Sequence, residues 1–225
     1  MRIIAGRFKG QHLQAVPGSS TRPTTDRVRE AWASSINSLS PQGFQDAVVL
    51  DAFAGSGALG FEALSRGARS VTFIDNDRKA LQTIKANRVS LGLGNDPSVL
   101  IAGFDSLAMT TSHLLLKQTE ALGQFDLVFL DPPYSTKRET VFSMLCRLAD
   151  EGVLAPGALI SYEQRYEKPG EQRKTPAQVA VGWPDGFKMV SFKQYGNTII
   201  EYLEFLPVDL DADDSSKTQP VAFRS

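Results

Sequence analysis

The chain has 225 residues, 42% hydrophobic and 22% charged, with 18 Gly and 12 Pro. That is enough apolar material for one substantial core, and it excludes a chain disordered throughout or a disulfide miniprotein. Lys and Arg total 24 against 25 Asp and Glu, so affinity for nucleic acid cannot come from a uniformly basic surface and any basic footprint must be local. The single cysteine, Cys146, excludes an internal disulfide and fits a reducing compartment. His12 and His113 stand too far apart to seed a zinc cluster, so no metal is expected. No apolar run suits a signal peptide or the roughly 20-residue span of a membrane helix, which leads to the expectation of a cytoplasmic protein without membrane attachment.

The first 40 residues hold the local basic footprint: Arg2, Arg7, Lys9, Arg22, Arg27 and Arg29 against Asp26 and Glu30. RIIAGRFKGQHLQAV reads as a small hairpin, expected as an appendage beside the main domain. TRPTTDRVRE, residues 21–30, reads as the entry to a helix whose apolar positions Val28, Ala31, Trp32 and Ile36 follow helical spacing. That spacing puts Arg22 at the helix entrance and Arg27 and Arg29 on its exposed side, available to phosphates. Three regions are expected: 1–40 as the basic appendage, 41–206 as the main domain and 207–225 as a disordered tail, acidic through Asp209, Asp211, Asp213 and Asp214.

From residue 47 one theme repeats, a short β-branched run, a Gly or Asp turn and a longer amphipathic segment. Strands are expected at 47–51, 70–75, 98–102, 125–131 and 158–163, with helices near 58–66, 77–91, 106–117 and 138–149. Runs apolar on both faces suit a buried parallel sheet. Beyond a polar Pro-Gly-rich stretch, 168–186, two further runs joined at Gly196-Asn197 read as a hairpin. The fold class is therefore α/β, Rossmann-like, a mostly parallel sheet with an antiparallel edge strand and a small N-terminal hairpin.

The loop after the first strand, residues 51–60, reads DAFAGSGALG and contains G-x-G-x-x-G. Alone it is ambiguous: a dinucleotide would set its pyrophosphate on the helix N-terminus, with Asp75 on a ribose, and S-adenosylmethionine uses the same crevice. Asp51 at the strand tip favours a cationic ligand and would repel a pyrophosphate. Gly55 and Gly57 allow close backbone approach, Asp75 can accept from both ribose hydroxyls, and Asp105 is placed for the adenine amino group. Phe53 and Phe104 adjoin these positions, with adenine packing and core packing both open. His12, His113 and Cys146 have no partner that suggests catalysis.

Asp131-Pro132-Pro133-Tyr134 follows the fourth strand directly. Seen alone it is a strand-ending turn. In a sheet wound this way, however, it should face the glycine loop at the carboxyl ends of the strands. Two prolines stiffen the backbone and leave carbonyls free as acceptors. The exocyclic amine of a nucleobase is a poor nucleophile that must be held in line. Asp131 and the Pro132 carbonyl can accept its two hydrogens while Tyr134 offers a ring for stacking.

This D-P-P-Y tetrapeptide resembles that of amino-methyltransferases acting on adenine or guanine. With RIIAGRFKG, RPTTDRVREA and the glycine loop, the chain over residues 1–206 closely resembles the RsmD family of bacterial 16S rRNA guanine-N2 methyltransferases. The resemblance implies a seven-stranded class I S-adenosylmethionine-dependent methyltransferase fold and methylation of one guanine N2 in small-subunit rRNA, on a partly assembled particle; the sequence does not fix the oligomeric state, and a monomer is the expectation. Carried over by position, Asp51, Gly55, Gly57, Asp75 and Asp105 would hold S-adenosylmethionine, residues 131–134 the target base, and Arg22, Thr25, Arg27 and Arg29 the RNA. The acidic tail and the long polar stretch 168–186 depart from the family pattern. Rival readings are an adenine-N6 methyltransferase, which short connections disfavour, and a protein-glutamine methyltransferase, disfavoured by Asp at 131. A nicotinamide oxidoreductase and a non-catalytic RNA-binding assembly factor complete the set.

Overall fold

A computed structural model describes residues 1–18, 25–107, 113–165 and 182–207. The elements in order are α1 (Asp26–Leu39), β1 (Val48–Asp51), α2 (Ala58–Ser65), β2 (Ser70–Asp75), α3 (Arg78–Ser90), β3 (Val99–Gly103), α4 (His113–Leu122), β4 (Phe125–Leu130), α5 (Arg138–Asp150), β5 (Leu154–Arg165), β6 (Phe187–Tyr195) and β7 (Thr198–Phe205). They form one seven-stranded sheet in the order β3-β2-β1-β4-β5-β7-β6. Strands β3, β2, β1, β4 and β5 pair in parallel. β7 runs antiparallel to β5, and β6 antiparallel to β7. The expected antiparallel strand is thus β7, one place in from the edge, with β6 outside it. Gly196, at φ 59° in the two-residue connection, supplies the left-handed backbone such a hairpin needs.

The apolar runs are continuous because the parallel strands are buried on both faces. Val49, Phe73, Leu127 and Phe129 pack on one face with Trp32, Ile36 and Phe61. Val48, Leu50, Val128 and Leu130 pack on the other with Met144 and Leu148. Thr25 caps α1 by accepting from Val28 N–H at 3.4 Å. Trp32 one turn later crosses to the sheet, edge-on to Phe129 at 4.9 Å and donating from Nε1 to Ser161 Oγ at 3.0 Å.

The N-terminal segment is not an appendage. Ile3 and Leu13 are buried in the same cluster as Trp32 and Phe61, and the hairpin reduces to one antiparallel bridge, Arg2 with His12. What ties it down is Glu62, fully buried on α2. Its carboxylate accepts from Ile4 and Ala5 N–H at 2.8 and 3.1 Å and pairs with Arg66 at 2.7 Å. The fourth helix is described from His113; its expected start near residue 106 adjoins residues 108–112, which lie outside the described residues. Asp105 accepts from Leu107 N–H at 3.0 Å and Ser106 Oγ donates to the Ala52 carbonyl, bonds that fix the turn following β3. The expected tail and most of the polar stretch, residues 208–225 and 166–181, lie outside the described residues, as does Arg22. Within them, Trp183 is a loop anchor: it donates to Glu201 at 3.0 Å and packs on Phe142 at 4.6 Å. No helix among the described residues is long and apolar enough to cross a membrane.

Candidate active site

The carboxyl ends of β1, β2, β4 and β5 open into a cavity of about 570 Å³. Phe53 and Gly55 of the first loop line it, with Asp75 and Asp105 on one side and Asp131, Pro132, Pro133 and Tyr134 on the other. The glycine loop and the Asp-Pro-Pro-Tyr segment therefore face one shared space, as the winding of the sheet requires.

The two loop glycines differ in purpose. Gly55, at φ +55°, has open space where a side chain would stand, so its backbone borders the cavity. Its N–H donates to Asp75 at 2.8 Å. Gly57, at φ +79°, is the N-cap of α2, and an added Cβ would lie 2.7 Å from Phe61 and 3.2 Å from Phe73. Gly57 thus serves close packing of helix on sheet and is not among the residues bordering the cavity, which corrects its expected contact role.

Asp51 also differs from expectation. It lies behind the loop, 2% exposed, and accepts from Gly60 N–H at 3.0 Å. Burial outweighs that hydrogen bond, and with the nearby charges of Asp131 and Asp75 it pushes the carboxyl up to about 7. Asp51 therefore anchors the loop to the start of α2 and is not a fixed anion on the cavity wall. Asp75 is tied by Gly55 N–H and by Asp77 N–H, the latter at 2.8 Å. Asp105 is exposed on the cavity side, and Phe53 is half-buried beside it.

Asp131 continues β4, and burial holds its carboxyl above the ordinary carboxylate range. Pro132 is buried, Pro133 is exposed, and Tyr134 stands 46% exposed at the mouth, not in the interior. The Pro133 carbonyl accepts from Thr136 N–H at 2.8 Å, whereas among the described residues no backbone N–H reaches the Pro132 carbonyl. An acid, an uncommitted carbonyl and an exposed ring thus converge on one end of the cavity. This end can hold a group bearing two N–H donors on a flat ring. The other end, acid-rich with a close-approaching backbone, suits hydroxyls and a cation, and its like charge opposes a pyrophosphate. The donor set thus fits S-adenosylmethionine better than a dinucleotide.

Sequence reasoning passed over Glu163, which stands near the carboxyl end of β5 beside Asp131 just past β4 and lines the same cavity. The available signal was a further apolar run, ALISY, ending in an acid. Met1, Ala15 and Val16 of the N-terminal segment also reach the cavity wall, a tertiary contact with no local signature.

On the expected RNA side, Arg27 and Thr25 are exposed. Arg29 is not: it is 1% exposed, pairs with Asp26 at 2.7 Å and donates to the Arg2 carbonyl at 2.7 Å. Its expected place on the open face of the helix is corrected, because the N-terminal segment folds over that side. Thr25, for its part, spends its hydroxyl on the helix cap.

Residues 1–204 match the family described as Conserved hypothetical protein 95. The chain belongs to this family. Within the Conserved hypothetical protein 95 match, the chain is similar to ribosomal RNA small subunit methyltransferase D of Haemophilus influenzae, 39% identical over 170 residues, covering 75% of this chain and 81% of the relative. It is 41% identical over 167 residues to the protein of that name from Escherichia coli, covering 74% and 76%. The solved structure of Escherichia coli yhhF, provisionally a methyltransferase, superposes with a TM-score of 0.68 at 30% identity, covering 92% of this chain and 99% of that one. Haemophilus influenzae HI0767, provisionally a methylase, gives 0.63 at 31%, covering 91% and 98%. The architecture shared with these neighbours is the Rossmann-like class I methyltransferase fold.

Proposed function

We propose that the protein is an S-adenosylmethionine-dependent methyltransferase that modifies the exocyclic N2 amine of a guanine in small-subunit ribosomal RNA. One observation carries the reading: the Gly55 loop and Asp131-Pro132-Pro133-Tyr134 border a single cavity at the carboxyl ends of the parallel strands. The names of the Haemophilus influenzae and Escherichia coli relatives supply the RNA class.

S-adenosylmethionine, when bound, supplies an electrophilic methyl group on a sulfonium. Phe53, Gly55, Asp75 and Asp105 are the residues that would hold it, with Asp51 and Gly57 fixing the loop from behind. Asp131 and the Pro132 carbonyl accept the two N2 hydrogens and hold the amine in line, which favours localisation of a lone pair whose delocalisation into the ring otherwise makes such an amine a poor nucleophile. As the N2–H bond breaks, Asp131 takes the proton and later yields it to solvent at the cavity mouth. A carboxylate of ordinary pKa would be a weak acceptor at neutral pH, and the burial of Asp131 raises its basicity toward the working range. The exposed Tyr134 ring is the platform for a base turned out of its stack. Arg27 is the candidate phosphate contact, and ribosomal assembly intermediates in the cytoplasm are the proposed substrate, approached by a monomer.

Calorimetry with S-adenosylmethionine and with NAD separates the two cofactor classes; binding of NAD alone would overturn the reading. Labelled methyl transfer to small-subunit rRNA, followed by digestion to nucleosides, should place the label in N2-methylguanosine. Label in N6-methyladenosine would overturn the choice of base.

A further inference from the structure

Four adjacent strands carry an acid at or near their carboxyl ends: Asp75 on β2, Asp51 on β1, Asp131 just after β4 and Glu163 two residues before the end of β5. The register pairs Asp51 with Phe73 and Phe129, and Phe129 with Ser161. Side chains alternate along a strand, so residues two further on, Asp75, Asp131 and Glu163, share the sheet face of Asp51. The function proposed above has a place for the first three and none for Glu163.

Glu163 is 9% exposed and lines the same cavity as Asp131 and Tyr134. Burial and the Asp131 charge together hold its carboxyl well above the usual range. Two other buried acids of this protein show what a structural glutamate looks like here. Glu62 has Arg66 and two backbone N–H donors. Glu201 has both Arg138 nitrogens at 2.7 and 2.8 Å together with Trp183. No donor among the described residues reaches Glu163. A buried carboxyl without a partner is costly, so a group that faces a ligand cavity unpartnered is one whose partner arrives with the ligand.

We propose that Glu163 reads the Watson–Crick edge of the target base, accepting from guanine N1–H beside the N2 amine held by Asp131. This rests on the guanine-N2 reading and deepens it into an account of base choice. Guanine carries N1–H and N2–H₂ side by side, two neighbouring donors that match acceptors on the neighbouring tips of β4 and β5. Adenine and cytosine place a ring-nitrogen lone pair next to their exocyclic amine. Facing Glu163, that lone pair has no hydrogen to offer: it repels the ionised carboxylate and can be met only by the protonated one. The preference for guanine is therefore read at a pH above the raised pKa of Glu163 and weakens below it. Glu163 is thus a specificity-determining residue, and Asp131 remains the group that handles the reacting amine.

The test compares methyl transfer to the target RNA carrying guanine or 2-aminopurine at the modified position. 2-Aminopurine keeps the N2 amine and lacks N1–H. The wild-type protein should favour guanine by roughly 10- to 100-fold in kcat/KM, the range expected for one good base-edge contact. Glu163→Gln can turn its amide NH₂ toward the N1 lone pair of 2-aminopurine, and the preference should shrink to within about threefold, a change that loss of packing alone would not produce. Affinity for S-adenosylmethionine, unchanged within a few-fold, certifies the fold of the variant. A wild-type protein that uses both bases equally overturns the inference, and so does an E163Q preference equal to the wild-type one. The wild-type ratio decides even if the E163Q protein does not fold. A wild-type protein that leaves guanine N2 unmethylated overturns the function itself, an outcome distinct from the other two.

Discussion

Asp51 at the tip of β1 provides a test that needs no substrate. It is 2% exposed, its one described donor is Gly60 N–H at 3.0 Å, and its carboxyl is pushed up to about 7. In the unfolded chain an aspartate titrates near 4, so between roughly pH 4 and 7 the folded protein keeps a proton that the unfolded chain has released. Because the folded-state pKa is the raised one, stability from this group falls as pH rises through that window and levels off above 7. About three units give on the order of 4 kcal/mol over the whole window, of which about 2–3 kcal/mol falls between pH 5 and 8. Asp51→Asn keeps the shape and an oxygen for Gly60 N–H but has no proton to lose. Any cost of burying the amide NH₂ is the same at every pH. In the absence of cofactor, the stability of the variant relative to wild type should therefore rise by about 2–3 kcal/mol from pH 5 to 8, or about 5–10 °C in Tm for a chain of this size. Denaturant and thermal unfolding at pH 5, 6, 7 and 8 read this directly, and pH dependences that run parallel in the two proteins would refute the assignment.

Three further outcomes concern the site. Asp131→Ala should lower kcat by about 10²- to 10⁴-fold, the span of a positioned proton acceptor, and leave S-adenosylmethionine affinity within a few-fold; wild-type turnover would remove Asp131 from the chemistry. Tyr134→Ala should cost roughly 1–3 kcal/mol in kcat/KM on RNA while Tyr134→Phe stays near wild type, since the ring face and not the hydroxyl supports the base. Arg27→Gln should reduce the slope of log K against log salt for RNA binding by about 0.7–1 per lost phosphate contact, without changing cofactor affinity; an unaltered slope would return Arg27 to the solvated surface.

Much of the sheet was legible because burial on both faces leaves runs such as FDLVFL with no polar interruption, and those runs coincide with β1 to β5 to within a few residues. The Asp-Pro-Pro-Tyr segment was legible for the same reason, since it stands where an apolar run stops. What escaped notice depended on contacts between distant parts of the chain. Helical spacing places Arg29 on the open side of α1, but the Arg2 carbonyl and the N-terminal segment cover it. Asp51 reads as a cavity acid until the loop turns its carboxylate toward Gly60. Glu163 had a local signal, an acid following an apolar run, but its meaning comes from β5 lying next to β4, which is a property of topology. The Arg138, Glu201 and Trp183 network joins residues up to 63 positions apart, and no spacing rule would assemble it.

The account stands on the base end and the cofactor end of one cavity meeting around a guanine amine. Its most direct test is mass-spectrometric mapping of methylated guanosines in small-subunit rRNA from cells that have or lack the gene for this protein. The account predicts one N2-methylguanosine that disappears with the gene and returns with the wild-type protein but not with Asp131→Ala. An unchanged methylation map, or restoration by the Asp131→Ala protein, would contradict it.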